Sequence, residues 1–427
     1  MSELSFDLHS AMPMGMLKKL LAESGVTDAK LVADAMERLK RLQIDAGIFY
    51  SYDGFTEHGS STHARISDGR QDRDCIMWSI NHYLGLNRHP DVISAVQQEV
   101  GEYGTGCGTS AMSGGFCTLH KQLETRLAQF VGKERVLLFP TGFTANSGAI
   151  AGLASKRDLI LSDAENHASI IEGCRSSRAQ VLAFAHNDVK DLEKNLQRYR
   201  SEFENVFVVV ESAYSMSGDL APLREIAALK ERYNFLFYVD EAHTFGFFGR
   251  GGRGYCDELG VTAQVDFIMS TLSKATASIG GFVATDSKYC TMLTWNARPY
   301  LFQACLSPGD AAAVLGALDV IEREPSIIAN LHENNRYFRE LLRREGFNLG
   351  KSQSPIVPVF IEDYEKLFKV TSELFEQGIF SVAVTYPAVG AKEGRLRFIV
   401  SAAHTREDIE RTVKALCQAC RKYEVMV

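Results

Sequence analysis

The stretch from Val206 to Gly246, VFVVVESAYSMSGDLAPLREIAALKERYNFLFYVDEAHTFG, decides the fold. It opens on five apolar residues, passes through a polar, turn-rich segment, and continues as APLREIAALKERYN, apolar at helical spacing. A second apolar run, FLFYV, follows. A strand that is apolar at every position is covered on both faces, as in a parallel sheet wrapped by helices. Strand, crossover helix and strand form the unit that builds such a sheet. The same alternation spreads outward through RVLLF (135–139), DLILS (158–162), QVLAF (180–184) and DFIMS (266–270), with a further helix in KDLEKNLQRYRSEF (190–203). The pattern predicts a large α/β domain over residues 75–310, its sheet mostly parallel.

Beyond LSPGDAAAVLGALDVIERE (306–324), read as one long helix, the pattern changes. PIVPVFI, IFSVAVTYP and RLRFIVS alternate with two helices and predict a smaller α+β domain over 311–427. Residues 1–74 form an N-terminal helical or extended segment, with helices expected between 13 and 47. The chain of 427 residues is 45% apolar and carries a net charge of −7, which excludes wholesale disorder and argues against a nucleic-acid partner. No apolar run reaches the roughly 18 residues of a membrane helix, and the N-terminal residues lack a signal-peptide pattern. Nine cysteines are scattered; Cys417 and Cys420 share one helical stretch without a second pair, so no metal site is expected. Reduced thiols fit the cytoplasm, the expected location.

In open α/β sheets, ligands collect where the strands end at their carboxyl side. After RVLLF comes PTGFTAN (140–146), a turn and helix start whose amides suit an anion. After DLILS comes DAENHASI, with His167 as cap or packing residue. After FLFYV comes DEAHTFG, with Asp240, a buried acid in need of a cationic partner, and His243. After DFIMS comes TLSKA, with Thr271 and Lys274. Each has a plain structural reading alone. Together they describe a site for a phosphorylated, cationic, planar ligand joined to a lysine, and pyridoxal 5'-phosphate has that chemistry. GRGGRG (249–254) does not open a helix directly from a strand and is not read as a dinucleotide loop.

The motifs NHYLGLNRHP, LHKQLETRLAQFVG, NHASIIEG, YSMSGDLAPL, VDEAHTFGFFGRGGRG, TLSKA, ARPYLF and RLRFIVSAAHT, in this order, resemble the α-oxoamine synthases, fold type I pyridoxal-phosphate enzymes. The family includes serine palmitoyltransferase, 8-amino-7-oxononanoate synthase, 5-aminolevulinate synthase and 2-amino-3-ketobutyrate CoA ligase. The resemblance implies that Lys274 holds the cofactor and moves protons at the amino acid's α-carbon. It implies that Asp240 keeps the ring nitrogen protonated, that His243 and Ser215 serve the ring's O3 side, and that His167 stacks on the ring. Gly142, Phe143 and Thr271 would take the phosphate. Arg397 would clamp the substrate carboxylate, with Arg395 a near neighbour open to confusion with it, and Asn81 would reach the same region.

The reaction implied is decarboxylative condensation of an amino acid with an acyl thioester, carried by CoA or an acyl carrier protein, in a homodimer with shared sites. The YSMSGDLAPL and SKATASIGGFV stretches lean toward serine palmitoyltransferase-like members. An aminotransferase or lyase on the same fold is the alternative; a non-catalytic subunit is disfavoured by the presence of Lys274, Asp240 and His243. Ala111 and Cys117 stand where many relatives carry Arg and His, and QACLSP and KATASIGG also depart from the family. These departures bear on the acyl substrate rather than on the cofactor. Tyr300, Leu301 and Phe302, read as irregular backbone in need of cover, are the sequence's own argument for a subunit interface.

Overall fold

The computed structural model describes residues 8–48, 54–67 and 72–425. The chain divides into two compact units: Asn81–Ser215 with Asp219–Asn330, and the residues up to Ile80 with Met216–Gly218 and Leu331 onward. The sequence reading set the domain boundary at 310 and kept the N-terminal segment apart. The helix Pro308–Arg323 instead stays with the larger unit. Its face of Ala311, Ala312, Val314, Leu318 and Ile321 is buried, and Gly316 lies close enough to the helix Pro90–Tyr103 that a Cβ there would meet Ala95 Cβ at 3.2 Å.

The larger unit is built on a seven-stranded sheet in the order Arg135–Phe139, Gly281–Thr285, Phe267–Thr271, Leu236–Asp240, Val206–Glu211, Leu159–Asp163, Gln180–Phe184. Each apolar run named from the sequence is one of these strands. The seventh, Gly281–Thr285, is antiparallel to both neighbours. Only residues 272–280 separate it from Thr271, too few for the crossover that a parallel pair needs. Full cover on both faces holds for the central strands but not for the edge strand Gln180–Phe184, which is largely exposed. One face packs Leu137, Phe139, Val209, Tyr238 and Met269 against Ala145, Ala149 and Ile170 of the helices Gly142–Leu153 and Ala168–Ser177. On the other, Phe245 meets Phe282 and Phe130 of the helix Thr118–Val131 edge-on, with ring centroids 5.1 and 5.5 Å away.

The residues 300–302 belong to a short helix, Arg298–Phe302, rather than to irregular backbone. Tyr300 packs inside its own unit against Phe139, while Phe302 is exposed. The difference follows from Pro299, which occupies the first turn of a helix without loss because its missing N–H has no partner there.

The other unit holds a three-stranded antiparallel sheet, Ile356–Phe360, Arg395–Ile399 and Val382–Val384, and a second sheet of Phe55–Thr56, His63–Ser67, Asp72–Met77 and Ile379–Phe380. The stretch IFSVAVTYP, read as one strand, is therefore divided between two sheets, breaking at Ser381. The N-terminal helices are Met14–Glu23 and Ala29–Asp45, as the periodicity predicts. Asp28 caps the second through Lys30 N and Leu31 N, and Leu17, Leu21 and Leu39 close the pair.

Candidate active site

The carboxyl ends of the central strands enclose a cavity of about 340 Å3. Lys274, His243, Asp240, His167, Thr271, Gly142 and Phe143 all line it, so the larger unit gathers seven of the residues named from the sequence. Ser215 and Asn81 belong to the same unit but are not in the lining. Arg397 belongs to the other unit and lines a cavity there.

Lys274 lies on the connection that forces the sheet's one antiparallel strand. Its small neighbours serve close packing. A Cβ on Gly142 would fall 2.5 Å from Thr271 Cβ, and one on Gly281 would fall 2.7 Å from Gly142 Cα. Helix start, strand end and lysine loop thus converge only because these positions lack side chains. Lys274 Nζ sits 2.8 Å from His243 Nε2, and Tyr83 Oη is 2.7 Å from His243 Nδ1.

Asp240 ends its strand with both oxygens held. Oδ2 accepts from Asn146 Nδ2 at 2.7 Å and Oδ1 from the Ala242 amide at 2.8 Å. Asn146 is fixed in turn: its Oδ1 accepts from Tyr238 Oη at 2.9 Å, and its Nδ2 also donates to Ser169 Oγ at 2.9 Å. With that contact filled, the Ser169 hydroxyl donates to His167 Nδ1, 2.8 Å away. The same Nδ1 accepts the Ser169 amide, so His167 caps its helix while facing the cavity. Burial lowers its pKa, as does the charge of Lys274, against the pull of Asp240. The neutral ring, with its proton on Nε2, is the form this network supports.

Glu211 is the cross-strand partner of Asp240. It lies buried in the lining and accepts the His167 amide at 2.5 Å. Burial and the Asp240 charge push its pKa well above the usual carboxylate value, since two adjacent carboxylates resist ionising together. Sequence reading missed Glu211, Asn146, Ser169 and Tyr83. The strand-end rule was the signal for Glu211, which directly follows VFVVV but was absorbed into a turn-rich segment.

Also in the lining, Thr141 caps the helix Gly142–Leu153 by accepting the Thr144 amide. The Gly142 and Phe143 amides have no partner among the described residues and border the cavity. Thr271 Oγ1 and Ser273 Oγ, 2.8 Å apart, stand beside them. A helix start with open amides and two hydroxyls is an anion cradle, and the carboxylate, lysine and histidines complete the donor set of a phosphorylated pyridine aldehyde. The residues present fit that group.

The departures from the family pattern cluster in the same unit. Cys117 caps the helix Thr118–Val131, with its amide on His120 Nδ1 at 3.1 Å, and His120 Nε2 lies 2.7 Å from Leu306 O in the QACLSP segment.

Fold and site together define a fold type I pyridoxal-phosphate-dependent transferase. The family model for aminotransferase class I and II matches residues 73–416. The chain is 41% identical to a serine palmitoyltransferase of Bacteroides ovatus over 379 residues, 87% of this chain and 96% of that one. It is 38% identical to an 8-amino-7-oxononanoate synthase of Thermoanaerobacter pseudethanolicus over 393 residues, 92% of this chain and 97% of that one. A solved structure of SPT with its PLP internal aldimine superposes with a TM-score of 0.87 at 32% identity, covering 95% of this chain and 100% of that one. The chain belongs to the α-oxoamine synthase family.

Proposed function

We propose that the protein condenses an amino acid with an acyl thioester, releasing CO2 and the free thiol of CoA or a carrier protein and leaving an α-amino ketone. The observation that carries this reading is the 2.8 Å contact between Lys274 Nζ and His243 Nε2, in the same cavity as Asp240 and the helix start. Bound there, pyridoxal phosphate supplies an electron sink for a carbanion at the amino acid's α-carbon.

Lys274 holds the cofactor and, once the amino acid takes its place, removes and returns the proton at that carbon. His243 orients Lys274 Nζ and is itself steadied by Tyr83; Ser215 is assigned to the same side of the ring. Asp240 offers its charge to the ring nitrogen, aimed by Asn146 and the Ala242 amide. Gly142, Phe143 and Thr271 hold the phosphate, and His167 covers the ring face.

Arg397 is assigned to the substrate carboxylate, together with Asn81. Arg395 is already committed: it bonds Glu393 and Met216 O and lies over the Phe360 ring. Serine is the amino acid to test first, and long-chain acyl-CoA the donor, on the resemblance to serine palmitoyltransferase. Among the described residues no helix is long and apolar enough to cross a membrane. We read the protein as a cytoplasmic homodimer, its nine free cysteines suiting a reducing compartment.

The test is release of free CoA and CO2 by the holoenzyme across a panel of amino acids and acyl-CoA thioesters. Turnover dependent on both substrates is expected. Net amino transfer without thioester consumption would replace this reading with an aminotransferase.

A further inference from the structure

Of the nine free cysteines, six are buried. The other three, Cys107, Cys117 and Cys305, are half-buried, and all three come together in the larger unit beside one imidazole, that of His120. Cys117 is the N-cap residue of the helix Thr118–Val131, and its Sγ lies 3.1 Å from His120 Nδ1. Cys107 Sγ donates to Leu306 O at 3.3 Å and lies 4.0 Å from His120 Nε2. Cys305 precedes Leu306, its amide donates to Thr109 O at 3.0 Å, and it shares with His120 the lining of a cavity of only about 10 Å3. None of these four side chains lines the lysine cavity.

The contacts fix where the protons are. The Cys117 amide donates to His120 Nδ1 at 3.1 Å, so that nitrogen carries no proton. The ring proton is on Nε2, which donates to Leu306 O at 2.7 Å. The hydrogen left for the contact between Nδ1 and Cys117 Sγ is the thiol's own. A thiol that donates to an imidazole, whose far nitrogen is held by a carbonyl, has the arrangement of nucleophile, base and orienting acceptor. The ring cannot swing away, being buried and stacked on Phe116 with centroids 5.4 Å apart. Cys117 also stands at the amino end of a 14-residue helix, where the peptide dipoles favour negative charge on sulfur. Cys107 and Cys305 lack both aids. Nε2 has its proton on Leu306 O and offers Cys107 no base, and burial holds the Cys107 thiol above its ordinary range and pushes that of Cys305 up to about 12.

We propose that Cys117 is a peroxide-reactive thiol, a modification site separate from the lysine cavity, with His120 as its base. The thiol proton passes to Nδ1, and the thiolate sulfur attacks one oxygen of hydrogen peroxide. The S–O bond forms as the O–O bond breaks, the proton on Nδ1 goes to the departing hydroxide, and water leaves. Cys117 is oxidised to a sulfenic acid and the peroxide is reduced to water. Size assigns the oxidant. The space beside His120 has room for about one water-sized molecule, and Cys117 itself is half-buried. A small peroxide reaches such a sulfur more readily than a bulky disulfide does.

The test treats the holoenzyme with hydrogen peroxide in the presence of dimedone, which traps sulfenic acids, and locates the adduct by peptide mass spectrometry. The adduct should form on Cys117 at least about ten-fold faster than on any other cysteine. His120→Asn removes the base and should slow the adduct at Cys117 by about ten-fold or more, whereas Cys107→Ser should leave its rate unchanged. Far-UV circular dichroism shows whether the His120 variant folds. If it does not, the wild-type adduct still decides the site: dimedone found first on Cys107, Cys305 or a buried cysteine, or no adduct at all, would overturn it. A folded His120→Asn protein that reacts at the wild-type rate would overturn the role of the base. Glutathione disulfide in place of peroxide should leave Cys117 largely unmodified, and a mixed disulfide formed as fast as the dimedone adduct would overturn the assignment of a small oxidant. Neither readout uses turnover, so the result is independent of the condensation proposed above.

Discussion

Glu211 and Asp240 end neighbouring strands in register, and both line the cavity. Burial and the Asp240 charge both oppose ionisation of Glu211 and push its pKa well above the usual carboxylate value. Asn146 and the Ala242 amide donate to the two oxygens of Asp240. Asp240→Asn retains the shape and removes the charge, so turnover should fall at least 100-fold while cofactor still binds. Serine α-proton exchange at a near-normal rate in that variant would contradict the role. Lys274 is the other half of the argument. Borohydride reduction of the holoenzyme should fix the cofactor to Lys274, located by peptide mass spectrometry, and an adduct on another lysine would end the proposal. Lys274→Ala should lose turnover and keep its far-UV circular dichroism, since Nζ faces a cavity rather than the core.

At the scale of elements, two short connections hold testable strain and charge. In the lysine loop, Ala277 has φ of +50°, a left-handed conformation that costs an L-residue roughly 1 kcal/mol. Ala277→Gly relieves it and should raise stability by up to about 1 kcal/mol in urea denaturation; a loss of that size would mean the methyl packs against something. The turn after Arg395–Ile399 buries His404, stacked on Trp78 with ring centroids 4.0 Å apart. Its Nδ1 accepts the Ser401 amide and its Nε2 donates to Met77 O. Burial above all lowers its pKa to about 4. The unfolded chain takes up that proton near pH 6.5 and the folded chain does not. The contribution is thus present above pH 6.5 and is lost as pH falls toward 4, at about one proton's slope, roughly 3 kcal/mol in all. His404→Gln should remove that slope between pH 6.5 and 5, measured by urea denaturation at several pH values. These same connections show where sequence reading stopped. The six apolar runs between 135 and 270 were legible because burial on both faces demands unbroken apolar residues. Gly281–Thr285 was passed over because the glycine pair at its start reads as loop, the role of Gly281 being a close approach to Gly142. Lys274, Asp240 and His243 were legible from their places at strand ends. Asn146 and Ser169 were not, since a helix residue that steadies a carboxylate looks like any other polar helix residue until the fold brings the two together.

At the scale of the whole molecule, the larger unit leaves four large apolar side chains exposed that bear on its assembly. Phe143 and Ile279 line the lysine cavity and are 49% and 47% exposed. In the same unit, Trp295 and Phe302 are 65% and 79% exposed, on the adjacent helices Ser287–Asn296 and Arg298–Phe302. Single exposed apolar side chains are ordinary, but large aromatics on consecutive helices are the kind of residue that subunit interfaces bury. A second copy of the chain is the occupant that fits the homodimer proposed above. The double variant Trp295→Glu, Phe302→Glu places two charges on that face and leaves the cavity lining untouched. Sedimentation velocity should then show a dimer for the wild type and a shift to monomer for the variant, with turnover falling in parallel because the cavity's apolar rim loses its cover. A wild-type monomer with full activity would rule out the shared site. A variant that stays dimeric would move the interface away from these helices.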